Sequence, residues 1–298
     1  MKTRILLSVA AATGLLLTGC AAHHATGDNT AAKSHFAHFG TNRVHYVTVG
    51  RGSQVVAFVH GWSCNEGFWR EQVPALAGQA RLILIDLPGH GQSDKPRVDY
   101  TMDYFAGAVL AVLRDAHVEK AVLVGHSMGT PVICRVYAQA PQSVAALVAV
   151  DSLLRRPKID AAQAESFIGA YRKPEYLDAL KRFVSSMFPN PGTEVMRDQV
   201  YAEMSATPQF VMSSAMDSMF DSKQPSWDLP AKVSVPVLVL NAQSPMWNDD
   251  YKKYVGSLSD RTDYRTIEGA GHFLMLEKPA EFNAALLGQL QEFGLVVK

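Results

Sequence analysis

The chain has 298 residues, 48% of them hydrophobic, and its 28 basic side chains balance 28 acidic ones. That balance leaves no electrostatic footprint for nucleic acid and no acidic solvating tail. The composition is that of a globular protein with enough apolar surface for one large core. In chain order, Lys2 and Arg4 precede an apolar stretch at residues 5–17. A comfortable membrane span needs about 20 apolar residues, so this stretch has the length of a signal-peptide core, and residues 1–19 read as a signal peptide. Residues 21–34 are polar, without apolar periodicity, and read as a flexible tether. His23 and His24 read there as a solvated pair, and no metal or cofactor is expected. From residue 36 onward, strand-like and helix-like segments alternate. A strand is expected at residues 44–49. Short apolar runs at residues 55–59, 82–85, 121–124, 145–150 and 235–240 suit strands buried on both faces of a parallel sheet. Amphipathic helical patterns lie between them at residues 68–76, 104–116, 128–139, 249–258 and 280–293. This alternation predicts a doubly wound α/β sheet. Residues 155–229 break the rhythm. They contain no strand pattern, read as helices (residues 161–171 and 175–187 among them), and are dense in methionine: Met187, Met196, Met204, Met212, Met216 and Met219. Methionine adapts to irregular apolar shapes, so the segment reads as helix core, as a mobile cover over an apolar pocket, or as both.

The residues Leu17-Thr18-Gly19-Cys20 resemble the lipobox of bacterial lipoproteins. The resemblance implies cleavage before Cys20, lipidation of its thiol and a membrane anchor on residues 20–35, with Ala21 favouring the outer membrane. An ordinary signal peptide followed by a chance cysteine is the alternative. The mature chain then keeps Cys64 and Cys134. An exported protein could pair them, although Cys134 lies in an apolar helical stretch and reads as a buried small residue.

Gly125-His126-Ser127-Met128-Gly129 follows one of the apolar runs and opens a helical pattern. This is G-x-S-x-G in the strand–turn–helix setting of a nucleophile elbow, where the glycines allow a turn too tight for side chains. Val59-His60-Gly61-Trp62 ends an earlier core strand, Asp86 to Ser93 reads DLPGHGQS, and Glu268 to Pro279 reads EGAGHFLMLEKP. Together these resemble the α/β-hydrolase superfamily over residues 36–295. The resemblance implies an α/β-hydrolase fold: a core at residues 36–154 and 230–298, with a helical cap at residues 155–229. It implies Ser127 as nucleophile, His272 as base, and the main-chain amides of Trp62 and Met128 as an oxyanion hole. The DLPGHGQS loop reads as a structural turn, which leaves His90 only as a rival base and Asp86 outside the triad.

The third triad member departs from the commonest family pattern. The turn Asn241-Ala242-Gln243-Ser244-Pro245, where that pattern has its carboxylate, contains none. Asp151 directly follows the strand at residues 145–150, at the carboxyl end where open α/β sheets gather their sites, and some superfamily members carry the acid there. Asp151 is the favoured acid, Asp249 and Asp250 are the alternatives, and a Ser–His dyad is a further one. The expected activity is hydrolysis of a small or medium ester, thioester or lactone through an acyl-serine. Carbon–carbon bond hydrolysis or perhydrolysis on the same residues, and a non-catalytic envelope lipoprotein that keeps the fold, are the competing readings. The expected partners are a small acyl substrate and, through Cys20, a membrane.

Overall fold

The computed structural model describes residues 31–220 and 226–296. The expected signal peptide, Cys20 and most of the tether lie outside the described residues. In chain order the elements are β1 (Lys33–Phe39), β2 (Asn42–Gly50), β3 (Val55–Val59), α1 (Val73–Leu76), β4 (Arg81–Ile85), α2 (Met102–Asp115), β5 (Ala121–His126), α3 (Gly129–Gln139) and β6 (Val144–Val150). They continue with α4 (Ala161–Ile168), α5 (Tyr176–Ser186), α6 (Glu194–Ser205), α7 (Gln209–Phe220), β7 (Val237–Ala242), α8 (Asp249–Ser257), β8 (Thr262–Ile267), α9 (Leu274–Glu277) and α10 (Pro279–Glu292).

The strands form one sheet in the order β1-β2-β4-β3-β5-β6-β7-β8. β2 is antiparallel to both β1 and β4, and the remaining pairs are parallel. Every residue of β3, β5 and β7 is buried, as expected where helices cover both faces of a parallel sheet. This is the α/β-hydrolase fold. Its register places the site: Val59 pairs with Gly125, His126 with Val150, and Val150 with Leu240. The residues just beyond β3, β5, β6 and β7 therefore emerge side by side at one edge. Helices α4 to α7 occupy the chain between β6 and β7.

Two local expectations change. The first strand starts at Lys33, inside the stretch read as tether. Its sequence KSHFAHF has no apolar run, because an edge strand faces solvent along one side. Pairing with β2 and the contacts His35–Thr48 (3.0 Å) and Ser34–His45 (2.9 Å) hold it instead. The helix expected over residues 68–76 is broken into a 3-10 turn, Glu66–Trp69, and the single turn α1, where Pro74 sits at the helix start and supplies no N–H. Cys64 and Cys134 are both buried and unbonded. Among the described residues no helix is long and apolar enough to cross a membrane.

Candidate active site

Ser127 sits on the turn between β5 and α3 with φ of 50°, in the left-handed region that a side chain normally avoids. Such a conformation costs on the order of 1–3 kcal/mol and persists only where the surroundings enforce it. The Ser127 N–H donates to Val150 O at 3.0 Å, and its carbonyl accepts from Thr130 N at 2.9 Å and from Ser152 Oγ at 2.9 Å. Gly125 and Gly129 are required by contact. A Cβ on Gly125 would lie 2.5 Å from the Gly129 oxygen, and one on Gly129 would lie 2.3 Å from the Val59 oxygen. The hydroxyl therefore stands at the N-terminus of α3, where helix amides favour developing negative charge.

The loop after β3 lies against this turn, and a Cβ on Gly61 would sit 3.2 Å from Ser127 Cβ. Burial lowers the His60 pKa and keeps its ring neutral. Nδ1–H of His60 donates to Gly61 O at 2.8 Å, and Nε2 accepts from Leu87 N at 3.0 Å. That core-side bracket fixes the peptide that leads into Trp62. Among the described residues, the main-chain N–H groups of Trp62 and Met128 have no hydrogen-bond partner. Two adjacent unpaired amides beside a serine can receive an oxyanion.

His272 Nδ1 lies 2.6 Å from Asp151 Oδ2. A carboxylate only accepts, so Nδ1 carries the proton and Nε2 is left with the lone pair of a base. Asp151 reaches this position because the chain turns sharply out of β6 with φ of 44°. Its N–H donates to Leu240 O at 2.9 Å, and its other oxygen accepts from Ala242 N at 2.9 Å. The carboxylate that meets His272 thus follows β6 directly and is buttressed by Ala242 at the end of β7, while residues 243–245 hold no carboxylate.

Two further side chains, His126 and Glu277, hold the loop of His272. The ring of His126 donates from Nε2 to the His272 carbonyl at 2.9 Å, and burial holds its pKa well below the usual value. Glu277 accepts from the N–H groups of Gly271 (2.9 Å) and Phe273 (3.2 Å). Burial raises the Glu277 pKa, and those two N–H groups oppose the shift. A carboxylate inside a glycine-containing loop was a visible signal for this clasp, but nothing in the sequence marked His126 for its role.

The rival residues lie elsewhere. Asp249 and Asp250 are exposed in the first turn of α8, behind the Asn248 cap, where their charge suits the helix dipole. Neither lines the cavity that contains Ser127. His90 is buried, with Nδ1 on Pro88 O at 3.0 Å and Nε2 accepting from Ser63 N at 3.3 Å, and burial drives its pKa down to about 3. Asp86 accepts from Glu66 N, Gln92 N and His45 Nδ1, each at 2.8 Å. Among the described residues, no group of three or more His, Cys, Asp or Glu side chains is placed to hold a metal ion.

A cavity of about 460 Å³ contains Gly61, Trp62, Ser127, Asp151 and His272 in its wall. The rest of the wall is largely apolar, with Met187, Met204, Met216 and Met219 from the segment between β6 and β7 and Met246 from the turn after β7. Met212, expected beside them, is buried but not in the wall.

The chain is 26% identical over 267 residues to the dihydrolipoyllysine-residue acetyltransferase component of the acetoin cleaving system of Cupriavidus necator, spanning 87% of this chain and 69% of the relative. It is 37% identical over 145 residues to the pimeloyl-[acyl-carrier protein] methyl ester esterase of Methylococcus capsulatus, spanning 46% of this chain and 54% of that relative. The fold superposes on an esterase from Exiguobacterium antarcticum with a TM-score of 0.77 at 17% identity, covering 87% of this chain and all of that one. It superposes on Est816, described as an N-acyl homoserine lactone degrading enzyme, with a TM-score of 0.69 at 25% identity, covering 85% of this chain and 99% of that one. The model of the alpha/beta hydrolase family matches residues 56–285. With that match, an eight-stranded sheet in this order and a half-buried Ser127 on the turn between β5 and α3, the chain belongs to the alpha/beta hydrolase family and is a hydrolase.

Proposed function

We propose that this hydrolase cleaves carboxylic esters, thioesters or lactones with an uncharged, apolar acyl part, through an acyl-Ser127 intermediate. The observation that carries the reading is the 2.6 Å contact between His272 Nδ1 and Asp151 Oδ2 in the cavity that contains Ser127. Ser127 Oγ attacks the carbonyl carbon as its proton passes to His272 Nε2, and Asp151 stabilises the imidazolium that forms. The amides of Trp62 and Met128 receive the oxyanion, a task in which one donor is typically worth about 2.7–4 kcal/mol. His272 then gives the proton to the departing alcohol or thiol, and water repeats the sequence to release the acid. The absent carboxylate after β7 does not favour a non-catalytic reading, because Asp151 Oδ2 lies 2.6 Å from His272 Nδ1 and supports the same role. Among the described residues no Lys or Arg lines the cavity, so none of those residues compensates a charged acyl tail.

The test is denaturing mass spectrometry after brief exposure to an activated ester. One acyl adduct on the Ser127 peptide is expected, and an adduct elsewhere with normal turnover by Ser127→Ala sinks the reading. We also propose, from Leu17-Thr18-Gly19-Cys20 behind the apolar stretch, that the chain is lipid-anchored through Cys20 in a bacterial envelope, at the outer membrane. Fatty-acid labelling that persists in Cys20→Ser overturns this.

A further inference from the structure

The oxyanion loop and the histidine loop both take bonds from the helical segment between β6 and β7. The Trp62 indole Nε1–H donates to Met212 O in α7 at 2.9 Å. Its ring meets Tyr171 edge-on at 4.8 Å and Phe183 at 5.9 Å, and the residue is 4% exposed. One residue on, Ser63 O accepts from Thr207 Oγ1 of the same segment at 3.3 Å. On the other side of the cavity, the His272 N–H donates to Met187 O at the end of α5 at 3.0 Å. The approach is close enough that a Cβ on Gly271 would lie 2.3 Å from that oxygen. Phe188 stacks on Phe273 at 5.4 Å with 13° between the planes.

We propose that the Trp62 side chain is a positioning residue: its indole hangs the oxyanion loop from α7, so the helical segment sets the aim of the Trp62 main-chain N–H and thereby the rate of turnover. This rests on the reading of Ser127 as an acylated nucleophile. The physical argument starts from tolerance. An oxyanion donor works at 2.7–3.1 Å from the developing charge, and a site about 1 Å too loose loses most of its advantage. The loop after β3 is bracketed on the core side at Gly61 by His60. Beyond it the chain passes Ser63, whose φ of 57° is again in the left-handed region. Gly61 O also takes the Cys64 N–H at 3.2 Å, and the Ser63 N–H goes to His90 Nε2 at 3.3 Å, so these bonds tie the loop to itself and to the core but not to the helical segment. The indole adds a directional bond to a helix carbonyl, which has a second lone pair to give. Packing alone does not require that bond, since a phenylalanine ring could meet Tyr171 and Phe183 without it. The helical segment is thus fastened to both reacting loops, in contrast to a cover that only closes over a finished site.

The experiment uses Trp62→Phe, which keeps a ring and loses the donor, assayed on an activated acetate ester too short to reach the helical wall. The expected result is a kcat lowered about tenfold or more, below the about 10²–10³-fold typical of losing a donor outright. KM should stay within about twofold. Affinity for a short-chain trifluoromethyl ketone, whose bound hemiketal carries the oxyanion, should weaken in step with kcat. Wild-type kcat on the acetate with wild-type ketone affinity, and changes confined to KM for long esters, would make the indole pocket wall and overturn the proposal. If Trp62→Phe gives no cooperative melt, Thr207→Val, which removes the weaker bond to the same loop, decides the question by the same readouts with a smaller loss expected. Ser127→Ala run beside them keeps the two ideas apart. An inactive Ser127→Ala with a normal Trp62→Phe defeats only this inference, whereas an active Ser127→Ala defeats both.

Discussion

His272 with Asp151 and His45 with Asp86 are both histidine–carboxylate pairs, at 2.6 and 2.8 Å, and each has a serine at hand. Ser34 Oγ lies 2.9 Å from His45 Nε2, so the second grouping holds the Ser–His–Asp connectivity within hydrogen-bond reach. The surroundings differ. Asp86 also takes the Glu66 and Gln92 amides, His45 is fully buried, and none of Ser34, His45 and Asp86 lines the cavity. Ser127, by contrast, stands on a strained turn beside two unpaired amides, with a cavity in front of it. Connectivity alone therefore does not make an acyl-transfer site. Unpaired amides and room for a substrate separate the proposed reactive grouping from a clasp that ties β1 and β2 to the loop after β4.

The sharpest way to break that contrast is at the serines. Ser127→Ala should lower turnover by about 10⁴-fold or more, while Ser34→Ala stays near wild type. A fluorophosphonate probe should label the Ser127 peptide alone. Label on Ser34 in the Ser127→Ala protein would show that the second grouping is reactive after all. The acids come next. Asp151→Asn should cut turnover steeply, toward the about 10⁴-fold seen for the matching change in serine proteases, with KM little changed. Asp86→Asn should instead cost stability, roughly 3–5 kcal/mol for a broken buried pair, read by denaturant titration. Mild Asp151→Asn beside crippled Asp249→Asn or Asp250→Asn would move the acid to α8.

Much of this contrast is legible in the sequence, and the reason is burial. β3, β5 and β7 are covered on both faces, so they leave uninterrupted apolar runs. The turn beyond each run then names Trp62, Ser127 and the β7 loop. Asp151 could be favoured because it directly follows β6. What hides is whatever depends on partners distant in the chain. β1 pairs along an edge and needs no apolar run. His126 acts through a carbonyl 146 positions away, and Met187 holds His272 by a main-chain oxygen that no side chain reveals. Methionine density marked the wall, but not which methionines face it. Met216 does and Met212 does not, because helical phase relative to the sheet is a tertiary fact.

Acid bears on both groupings, because burial lowers the pKa of His126 beside His272 as well. His60 and His90 lie beside Asp86, and burial lowers the pKa of both, that of His90 to about 3. The unfolded chain takes those protons near pH 6.5 and the folded chain does not. Stability is therefore full above about pH 6.5 and falls as pH drops through it. The slope is about 1.4 kcal/mol per pH unit for each such histidine. Thermal unfolding followed from pH 8 to 4 checks this, and a flat profile contradicts it. The smallest expected effect concerns the cavity. Met216→Ala should move acyl-length preference several-fold on an ester series. Met212→Ala should leave preference alone and lose about 2–5 kcal/mol of stability as a buried truncation. Equal shifts in preference from both would mean that the wall is not where the cavity lies.

The placement of Asp151 on β6 also bears on what the protein can become. In the commonest arrangement of this family the turn after β7 must present a carboxylate, so its length and composition are pinned by chemistry. Here residues 243–245 hold no carboxylate, and Asp151 Oδ1 takes from β7 only the main-chain N–H of its last residue, Ala242, which any residue except proline supplies. Gln243, Ser244 and Met246 of the following turn line the cavity, and the His272 ring bonds to Asp151 rather than to any of them. Under the proposed mechanism, mutational drift or directed selection can thus rewrite what the enzyme accepts in these few positions while the contact between His272 and Asp151 stays in place.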